Sequence, residues 1–335
     1  MKQTELVSFG IENLKIVEKD VPQPGREEVL VRLGGASINH RDYQIVIGQF
    51  SPTQALPIVP LSDGAGEVVA VGDGVSRVAT GDRVSPLFFP NWISGPAIGD
   101  ERSVSSGLET PGTLREYGVY NENAVVRIAA HLSDEEAACL PCAGLTAWTS
   151  LVVNSAIGEG DSVLLQGTGG VSLCALQIAK GLGASVIITS GSDEKLERAV
   201  ALGADHAVNY NTDADWGQTA RQLTDGRGVD AVIEIGGEKT LPQSVAAIRR
   251  EGHINIIGYL AGAGLGLSVF DLIMQNANLH GLSVGNRDQF EAMMEFVAEK
   301  KIRPVIHKTY AFDAAGVALG DIARGEHFGK LTVAI

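Results

Sequence analysis

The stretch that decides the fold is Gln166-Gly167-Thr168-Gly169-Gly170-Val171-Ser172. It follows the apolar run 162–165 and opens a helix-periodic stretch that reaches Leu182, and a second short apolar run, 185–189, comes directly afterwards. Strand, glycine turn, helix and strand in this order form a βαβ unit, whose helix N-terminus favours an anion through unpaired N–H groups and the helix dipole. The stretch therefore predicts a site for the diphosphate of a dinucleotide, built by Gly167, Thr168, Gly169, Gly170 and Val171.

Ser172 stands where this fingerprint usually has a third glycine, which lets the helix lie close against the strand. Serine is larger by one hydroxymethyl group, and we expect the contact to tolerate it. The alternative is a glycine-rich turn in an α/β domain that binds no nucleotide. We favour the nucleotide because the α/β pattern repeats regularly downstream.

Length and charge limit the classes of protein to which the chain can belong. Its 335 residues exceed the usual size of one hydrophobic core, so we expect two domains. A hydrophobic content of 44% with 20% charged residues is typical of a globular protein. The net charge of −14 argues against partners that need basic patches, namely nucleic acids and anionic membrane surfaces.

The lack of a signal-peptide pattern and the small number of cysteines favour a cytoplasmic protein. The N-terminus lacks the apolar core of a signal peptide, and the uncharged stretches 137–153 and 254–270 are interrupted by proline or glycine. We therefore interpret them as a buried helix and as a strand with a loop. Cys139 and Cys142 form a Cys-x-x-Cys pair, which suggests either a redox dithiol, half a zinc site or two buried cysteines. We favour buried cysteines, because no second pair or histidine cluster lies nearby.

The chain changes character near residue 130. Before it, the runs 29–33, 66–71 and 82–86 are typical of short strands and suggest a partly closed β-barrel, which the aperiodic loop 90–111 interrupts. After it, an acidic first turn predicts a helix from Ser133. Strands are then predicted near Val163, Val186, Ala207, Ala231 and Ile254, with helices between them, which implies a doubly wound parallel sheet.

Four further elements are predicted in the α/β part and beyond it. Asp193 is a plausible N-cap for a helix over 194–202, which Gly203 ends. After Gly285 we expect a helix over 290–300 and strand-like segments at 310–312 and 330–333.

These segments together resemble the medium-chain dehydrogenase/reductase superfamily over nearly the whole chain. The similarity rests on Leu56-Pro-Ile-Val-Pro60, Asp63 to Gly72, Gly81-Asp-Arg-Val84, Leu140 to Trp148, the glycine turn and His327 to Val333. The resemblance implies an α/β fold with a GroES-like β-barrel catalytic domain at 1–128 and 287–335. It also implies a Rossmann cofactor domain at 129–286, and a homodimer formed by edge pairing of the Rossmann sheets near Leu279 to Val284.

Within this superfamily, zinc alcohol dehydrogenases hold a catalytic metal with a Cys, the His of a Gly-His-Glu motif and a later Cys. The matching positions here are Asn39, the triplet Leu61-Ser62-Asp63, and Cys142, the one ligand that is kept. Asn39, Ser62 and Cys142 are a poor zinc set, even with Asp63 or His40 added. The four cysteines of a structural zinc lobe are absent as well. The chain is therefore most similar to the zinc-free branch of quinone and enone reductases, and we expect no metal.

The end of the second Rossmann strand predicts the choice of cofactor. NAD-using members carry an acidic residue at this position, which here is Ser190. Without that carboxylate a 2′-phosphate is not repelled, and Ser190, Ser192 and Lys195 could donate hydrogen bonds to it. Asp193 and Glu194 argue the other way, and we interpret them as acids of a helix first turn that point away. We predict NADP(H) in preference to NAD(H).

The resemblance also assigns residues to the nicotinamide and to catalysis. Those expected near the nicotinamide are Thr146, Gly236, Gly258, Tyr259, Val284 and Gly285, and Arg287 and Lys330 could reach the phosphates. Without a metal, donors must stabilise the oxyanion or enolate that forms during reduction. The candidate catalytic residues are Asn39 and Ser62 as donors and His40, Tyr43 and Arg41 as proton donors, and the sequence does not choose among them.

Three functions remain open. The first is a zinc-independent NADP(H)-dependent oxidoreductase for carbonyls, quinones or enones. The second is a zinc-type alcohol dehydrogenase or aldehyde/ketone reductase, and the third is a non-catalytic NADPH-binding protein. We predict a small-molecule substrate, with a pocket shaped by the loop 88–111 and by residues around Tyr259 and Phe270.

Overall fold

Two compact units make up the chain, and the computed structural model describes all of residues 1–335. The first unit comprises Met1–Leu145 and Val284–Ile335, and the second comprises Thr146–Ser283. The break near residue 285 lies close to the predicted one. The earlier boundary does not: residues 129–145, predicted with the cofactor domain, belong to the first unit.

The helix α2 (Asp134–Ala138) explains this shift of the boundary. Its N-cap is Ser133, whose Oγ accepts a hydrogen bond from the Glu136 N–H, as the acidic first turn predicted. Ser37 Oγ donates to the Ala138 carbonyl over 2.8 Å, and Arg83 forms an ion pair with Asp134. These contacts attach the helix to the strands of the first unit.

The first unit is built mainly of antiparallel strands. A two-stranded sheet pairs β1 (Lys2–Leu6) with β2 (Leu14–Glu18). A seven-stranded sheet has the order β14-β15-β3-β4-β5-β7, with β6 also paired to β3. Its strands are β3 (Glu28–Ile38), β4 (Asp63–Val71), β5 (Arg83–Pro86), β6 (Tyr117–Asn121), β7 (Val125–Arg127), β14 (Ile306–Tyr310) and β15 (Lys330–Ala334). The predicted runs 29–33, 66–71 and 82–86 lie almost wholly within β3, β4 and β5.

Helices of the first unit besides α2 are α1 (His40–Val46), α9 (Arg287–Lys300) and α10 (Ala315–Arg324). The predicted helix 290–300 begins earlier, at Arg287, because the Asn286 side chain caps it by accepting from the Gln289 N–H. The strand predicted at 310–312 in fact ends at Tyr310, and a short 3₁₀ turn, Phe312–Ala314, follows. The loop 90–111 contains neither a helix nor a strand, as predicted.

The second unit is a six-stranded parallel sheet with the order β10-β9-β8-β11-β12-β13. Its strands are β8 (Ser162–Gln166), β9 (Ser185–Ser190), β10 (His206–Asn209), β11 (Val229–Glu234), β12 (Ile248–Ile256) and β13 (Asn278–Gly281). Its helices are α4 (Gly170–Leu182), α5 (Asp193–Ala201), α6 (Trp216–Gln222), α7 (Leu241–Ala247) and α8 (Val269–Gln275). Counted along the chain, the strand order is that of a doubly wound dinucleotide fold, which confirms the predicted fold class.

Burial follows from this topology. The central strands β8 and β11 are covered on both faces, so every residue of both is buried, and Leu164 and Val232 are fully buried. Strand β13 forms one edge of the sheet, where edge pairing with a second copy was predicted. That pairing stays a prediction.

The uncharged stretch 137–153 is helical, as predicted. After α2 it continues as a π-turn (Leu140–Gly144), α3 (Leu145–Trp148) and a second π-turn (Thr149–Asn154). Cys139 and Cys174 are buried and Cys142 is half-buried, and none forms a disulfide. Every helix of the chain is too short or too polar to cross a membrane.

Candidate functional site

The glycine turn connects β8 to α4 and is shaped for a ligand. Gly167 has a φ of 69°, in the left-handed region that favours glycine. Gly169 is the N-cap of α4, and no side chain caps this end of the helix. A Cβ built on Gly169 would meet no atom within 4 Å, so the space in front of the helix is open. Backbone N–H groups at such an end suit a diphosphate.

Ser172, at the third glycine position, stabilises the turn. The residue is buried, and its Oγ donates to the carbonyl of Gln166 over 2.6 Å. Because Gln166 ends β8 and Ser172 lies in the first turn of α4, this bond ties the helix to the strand. The expectation that serine is tolerated here is confirmed.

Glu234 organises the loops beside the glycine turn, and sequence reasoning missed it. It ends β11, next to β8 at the point where the strand order reverses, and it is fully buried. Its carboxylate accepts from Gln166 Nε2 (2.6 Å), from Thr240 Oγ1 (2.6 Å) and from Ser244 Oγ, and also from the N–H groups of Gly236 (2.7 Å) and Gly237 (3.0 Å). An acidic residue at a strand end was the available signal, but its partners are distant in sequence.

The predicted nicotinamide residues of the second unit lie on the carboxyl-edge loops and on α3. A Cβ on Gly258 would approach the Ile235 carbonyl oxygen to 2.6 Å, so only glycine fits this close approach. Tyr259, the next residue, is half exposed. Thr146 is buried, and its carbonyl accepts from Ser150 Oγ over 2.8 Å.

Ser190 ends β9, as predicted, so the acidic residue typical of NAD-using members is replaced there by a hydroxyl. Its Oγ accepts from the Ser192 N–H over 3.3 Å. Ser192, and not Asp193 as predicted, is the N-cap of α5: its Oγ accepts from the Lys195 N–H, and Asp193 is the first helical residue. The Asp193 carboxylate accepts from Asn209 Nδ2 over 2.6 Å.

Tyr210 is a second residue that sequence reasoning missed. A Cβ on Gly191 would lie 2.9 Å from its ring, and the ring is half exposed. An exposed aromatic ring therefore lies beside the predicted site for the 2′-phosphate. Tyr210 follows β10, the strand that pairs with β9, and this pairing is invisible in the sequence.

The first unit contains a polar group, here called the Asn39–Lys330 cluster, whose members are the buried Asn39, Ser62, Asp63 and Lys330 and the half-buried Cys142. The ammonium of Lys330 donates to the carbonyl of Ile38 (2.7 Å) and to Asn39 Oδ1 (2.6 Å). Asn39 Nδ2 then donates to Ser62 Oγ (3.2 Å), and Ser62 donates to Asp63 Oδ1 (2.7 Å). The N–H of Cys142 donates to Asp63 Oδ2 (3.1 Å).

This cluster links a buried cation to a buried anion through two neutral groups. Asp63 is fully buried and Lys330 is 4% exposed. Burial raises the pKa of Asp63, and the Lys330 charge opposes that rise. Burial and the neighbouring Asp63 raise the pKa of the Cys142 thiol, so the thiol is protonated at neutral pH. Lys330, predicted near the cofactor phosphates, is instead engaged by this cluster.

Helix α1 begins at the cluster. Asn39 is its N-cap, and the Asn39 N–H donates to Asp42 Oδ2 over 2.8 Å. The other oxygen, Oδ1, accepts no hydrogen bond and lies 4.0 Å from Arg41 Nη1. Burial raises the pKa of Asp42 to about 6, in spite of the nearby Arg41.

The remaining catalytic candidates lie outside this hydrogen-bond chain. His40 is exposed at the start of α1, and partial desolvation lowers its pKa below 6.5. Its ring centroid lies 6.1 Å from that of Tyr43, which packs against the hydrophobic core. Arg41 donates to the Ser106 carbonyl (2.9 Å) and lies over the Phe88 ring (4.5 Å), so it holds the loop 90–111.

Val284, Gly285 and Arg287 belong to the first unit. Val284 is buried with a φ of 58°, which is strained for a β-branched residue. Arg287 Nη1 donates to Asn123 Oδ1 over 2.9 Å, and the guanidinium pairs with Asp288. Arg287 is therefore engaged within this unit.

The donor set of the cluster does not fit zinc. Zinc in proteins takes thiolate, imidazole or carboxylate ligands, whereas the three matching positions hold an amide, a hydroxyl and a protonated thiol. Asp63, the one carboxylate among them, is engaged by Ser62 and Cys142, and a lysine ammonium already lies in the cluster. Elsewhere in the chain, too, no group of three or more His, Cys, Asp or Glu side chains is arranged to hold a metal ion.

Known proteins resemble this chain along its whole length. Residues 25–130 match the family described as "Alcohol dehydrogenase GroES-like domain", and residues 170–299 match "Zinc-binding dehydrogenase". A zinc-type alcohol dehydrogenase-like protein of Schizosaccharomyces pombe is 41% identical, over 97% of this chain and 96% of its own.

Two solved structures resemble the fold. One, described as an NAD-dependent alcohol dehydrogenase, is 34% identical and superposes with a TM-score of 0.91 over 100% of both chains. The other, the quinone oxidoreductase from Coxiella burnetii, is 27% identical with a TM-score of 0.79 over 100% of this chain and 99% of its own.

Proposed function

We propose a specific activity for this chain, which belongs to the medium-chain dehydrogenase/reductase superfamily. The similar proteins named above are described as dehydrogenases and as a quinone oxidoreductase. In this proposal the chain is a zinc-independent, NADP(H)-dependent oxidoreductase that transfers hydride between the nicotinamide and a carbonyl, quinone or enone. One observation supports the zinc-free part: the hydrogen-bond chain from Lys330 to Asp63 runs through Asn39 and Ser62, which the resemblance matches to the ligand positions of zinc members.

The cluster supports the zinc-free part of the proposal through its charge. Lys330 supplies a fixed positive charge, and its bond to Asn39 Oδ1 polarises the Asn39 amide. An amide NH₂ group has two N–H donors, and Ser62 takes one of them. The Asn39 side chain also bonds the Asp63 carboxylate, so in this proposal an Asn39 N–H turns from Asp63 to the oxygen on which negative charge develops. Ser62 is the weaker candidate, because its own hydrogen is donated to Asp63.

The second unit holds the cofactor in this proposal. The glycine turn takes the diphosphate, and Ser190, Ser192 and Lys195 take the 2′-phosphate, with Tyr210 beside them. Bound NADPH supplies the hydride. The Asp193 carboxylate accepts from Asn209, the β10 residue paired with Ser190, so it lies beside the end of β9 and argues against a 2′-phosphate there. The similar NAD-dependent alcohol dehydrogenase makes this preference the first point to test.

The substitution Ser190→Asp tests the cofactor preference. A carboxylate at the end of β9 would repel the 2′-phosphate and accept from the ribose hydroxyls, so we expect the ratio of kcat/KM for NADPH over NADH to fall at least about tenfold. Ser8→Asp, an exposed serine of the first unit, is the matched control for added charge. An unchanged ratio in Ser190→Asp would show that the 2′-phosphate lies elsewhere.

Metal analysis of the purified protein tests the zinc-free part. We expect zinc well below one ion per chain and full activity after treatment with a chelator. Stoichiometric zinc, with loss of activity on chelation, would favour the alternative of a zinc-type alcohol dehydrogenase or aldehyde/ketone reductase. That alternative is supported by the name of the S. pombe relative.

A substrate panel tests catalysis itself. We expect NADPH oxidation with at least one small carbonyl, quinone or enone, and a homodimer in solution. Cofactor binding without turnover across the panel would favour a non-catalytic NADPH-binding protein.

A further inference from the structure

A cleft of about 570 Å³ on the second unit concentrates positive charge. Four of its six lining residues are arginines: Arg221, Arg227, Arg249 and Arg250, with Met274 and Gln275 completing the wall. No acidic residue lines it. Such a concentration of cations contrasts with the net charge of −14 of the whole chain.

This arginine cleft lies at the opposite edge of the sheet from the glycine turn. Arg227 lies two residues before β11, and Arg249 and Arg250 lie in the first residues of β12. The cleft is therefore at the amino edge of the parallel strands, whereas the glycine turn follows the carboxyl end of β8. It is separate from the proposed cofactor site.

Arg221 gives the cleft a rigid wall. Its guanidinium donates only to backbone carbonyls: those of Ala246 (2.9 Å), Gly226 (3.3 Å), Arg227 (3.2 Å) and Ile248. These bonds tie the end of α6 to the start of β12. Because the partners are neutral, the positive charge of Arg221 is not cancelled by a carboxylate.

Arg227 and Arg249 share a single carboxylate. Arg227 Nη2 lies 2.5 Å from Asp230 Oδ2, and Arg249 Nε lies 2.5 Å from Asp230 Oδ1. Burial alone raises the pKa of Asp230, but the hydrogen bonds from both arginines outweigh it and lower the pKa to about 2. Asp161 also acts on Arg227. A third carboxylate lies nearby, because Glu251 follows Arg250 and accepts from Asn276, the neighbour of Gln275. Four guanidinium groups against three carboxylates leave one positive charge.

Donors remain for a ligand. Arg250 is exposed and donates no hydrogen bond, so all five of its N–H groups are available. Arg249 uses only Nε, toward Asp230, and one N–H of Nη1, toward the Arg250 carbonyl, so both N–H groups of Nη2 are available as well. Guanidinium groups bind phosphate oxygens in pairs of parallel hydrogen bonds.

We propose that the arginine cleft binds a small oligophosphate, whether inorganic or the phosphate chain of a nucleotide. One phosphate group can meet about two guanidinium groups through paired bonds, and a chain of phosphates can span more of the four. Because the rest of the chain is negatively charged, the affinity for phosphate must come from the local guanidinium groups. Salt screens this attraction, so the affinity is expected to fall as the salt concentration rises. This inference is independent of the proposed oxidoreductase activity.

Titration calorimetry of the whole chain with inorganic tripolyphosphate tests this site. We expect saturable binding that weakens between low and physiological salt, and that orthophosphate binds more weakly. Arg250→Glu should lower the affinity at least about tenfold, because it replaces an attractive charge by a repulsive one. Arg26→Glu, at a highly exposed arginine of the first unit, is the matched control and should leave the affinity unchanged.

Two further measurements keep the test decisive. The Arg250 side chain makes no hydrogen bond, so Arg250→Glu is expected to fold, and a thermal melt checks this. Adenosine triphosphate should bind like tripolyphosphate if the phosphate chain alone is recognised, and adenosine should not compete. Parental affinity in Arg250→Glu, or orthophosphate binding as tightly as tripolyphosphate, would overturn the proposal. So would loss of the tripolyphosphate signal only in Gly169→Asp, since that places the anion at the glycine turn.

Discussion

The Asn39–Lys330 cluster and the glycine turn handle charge in different ways. In the cluster, side chains satisfy one another, from the Lys330 ammonium through Asn39 and Ser62 to the Asp63 carboxylate. In the glycine turn, backbone N–H groups at the start of α4 face open space, and no side chain caps them. A site made of side chains can change its chemistry by a few substitutions. A site made of backbone keeps its chemistry as long as the fold persists.

This contrast explains how a chain can resemble a protein named zinc-type alcohol dehydrogenase-like over its whole length without a donor set that fits zinc. At the positions that the resemblance matches to zinc ligands, this chain has an amide and a hydroxyl side chain, and the third residue, Cys142, is protonated at neutral pH. The fold that carries these residues superposes on that of the NAD-dependent alcohol dehydrogenase over the whole chain. The glycine turn tolerates a serine at its third glycine position, because that serine bonds back to the strand.

Lys330→Met is expected to have the largest effect on the cluster. It removes the cation and leaves the Asp63 carboxylate buried without a counter-charge, which costs about 3–5 kcal/mol of the free energy of unfolding. Urea denaturation measures the loss. The control is Lys330→Met combined with Asp63→Asn, which removes both charges and should recover a large part of the stability. Equal losses in the single and double variants would show that the two charges are not coupled.

Asp42 predicts a pH dependence of stability in the same region. Its folded pKa of about 6 is above the ordinary value of 3.8, so the native state prefers the protonated form. The associated stability is complete below pH 4 and is lost as the pH rises through 6, amounting to about 3 kcal/mol.

The variant Asp42→Asn isolates this term, because it keeps an oxygen that can accept from the Asn39 N–H. Between pH 4 and pH 7, the free energy of unfolding of the parent should fall relative to that of the variant. Parallel pH profiles would contradict the raised pKa.

Asn39→Cys with Ser62→His would restore two typical zinc ligands beside Cys142. We expect the affinity for Zn²⁺ to rise at least about a hundredfold, or about 2.7 kcal/mol, because thiolate and imidazole replace an amide and a hydroxyl. Equilibrium dialysis with metal analysis measures it, and Asn39→Cys alone serves as the control. A parent chain that already binds zinc as tightly as the double variant would contradict our interpretation of the cluster.

Glu234→Gln addresses the glycine turn and should have the smallest effect of the four. The amide replaces one accepting oxygen by a donor, so one or more of the bonds from Gln166, Gly236 and Thr240 is lost, at a cost of about 2 kcal/mol. Cofactor affinity should weaken as well, since these bonds order the loops beside the turn. Glu238→Gln, at an exposed position, is the control and should change neither quantity.

Much of the fold could be predicted from local patterns. Alternating apolar runs and glycine turns indicated the strands of both units, and the stretch 166–172 indicated the βαβ unit, because periodicity and turn chemistry act over a few neighbouring residues. The domain boundary was less accurate, since contacts from β3 and β5 attach α2 to the first unit. The helix cap was misplaced by one residue, from Ser192 to Asp193, because both residue types are good caps.

The sequence alone determined the type of fold, the glycine turn and the residue types at the positions that the resemblance matches to zinc ligands. Only the tertiary structure decided what those residues do. Lys330 reaches Asn39 from 291 positions away, Glu234 gathers partners from β8 and from the loop and helix that follow β11, and Arg221, Arg227, Arg249 and Arg250 meet at one edge of the sheet. The physical reason is that buried charge and hydrogen bonding depend on which distant segments are brought within about 3 Å, and no local pattern records that distance.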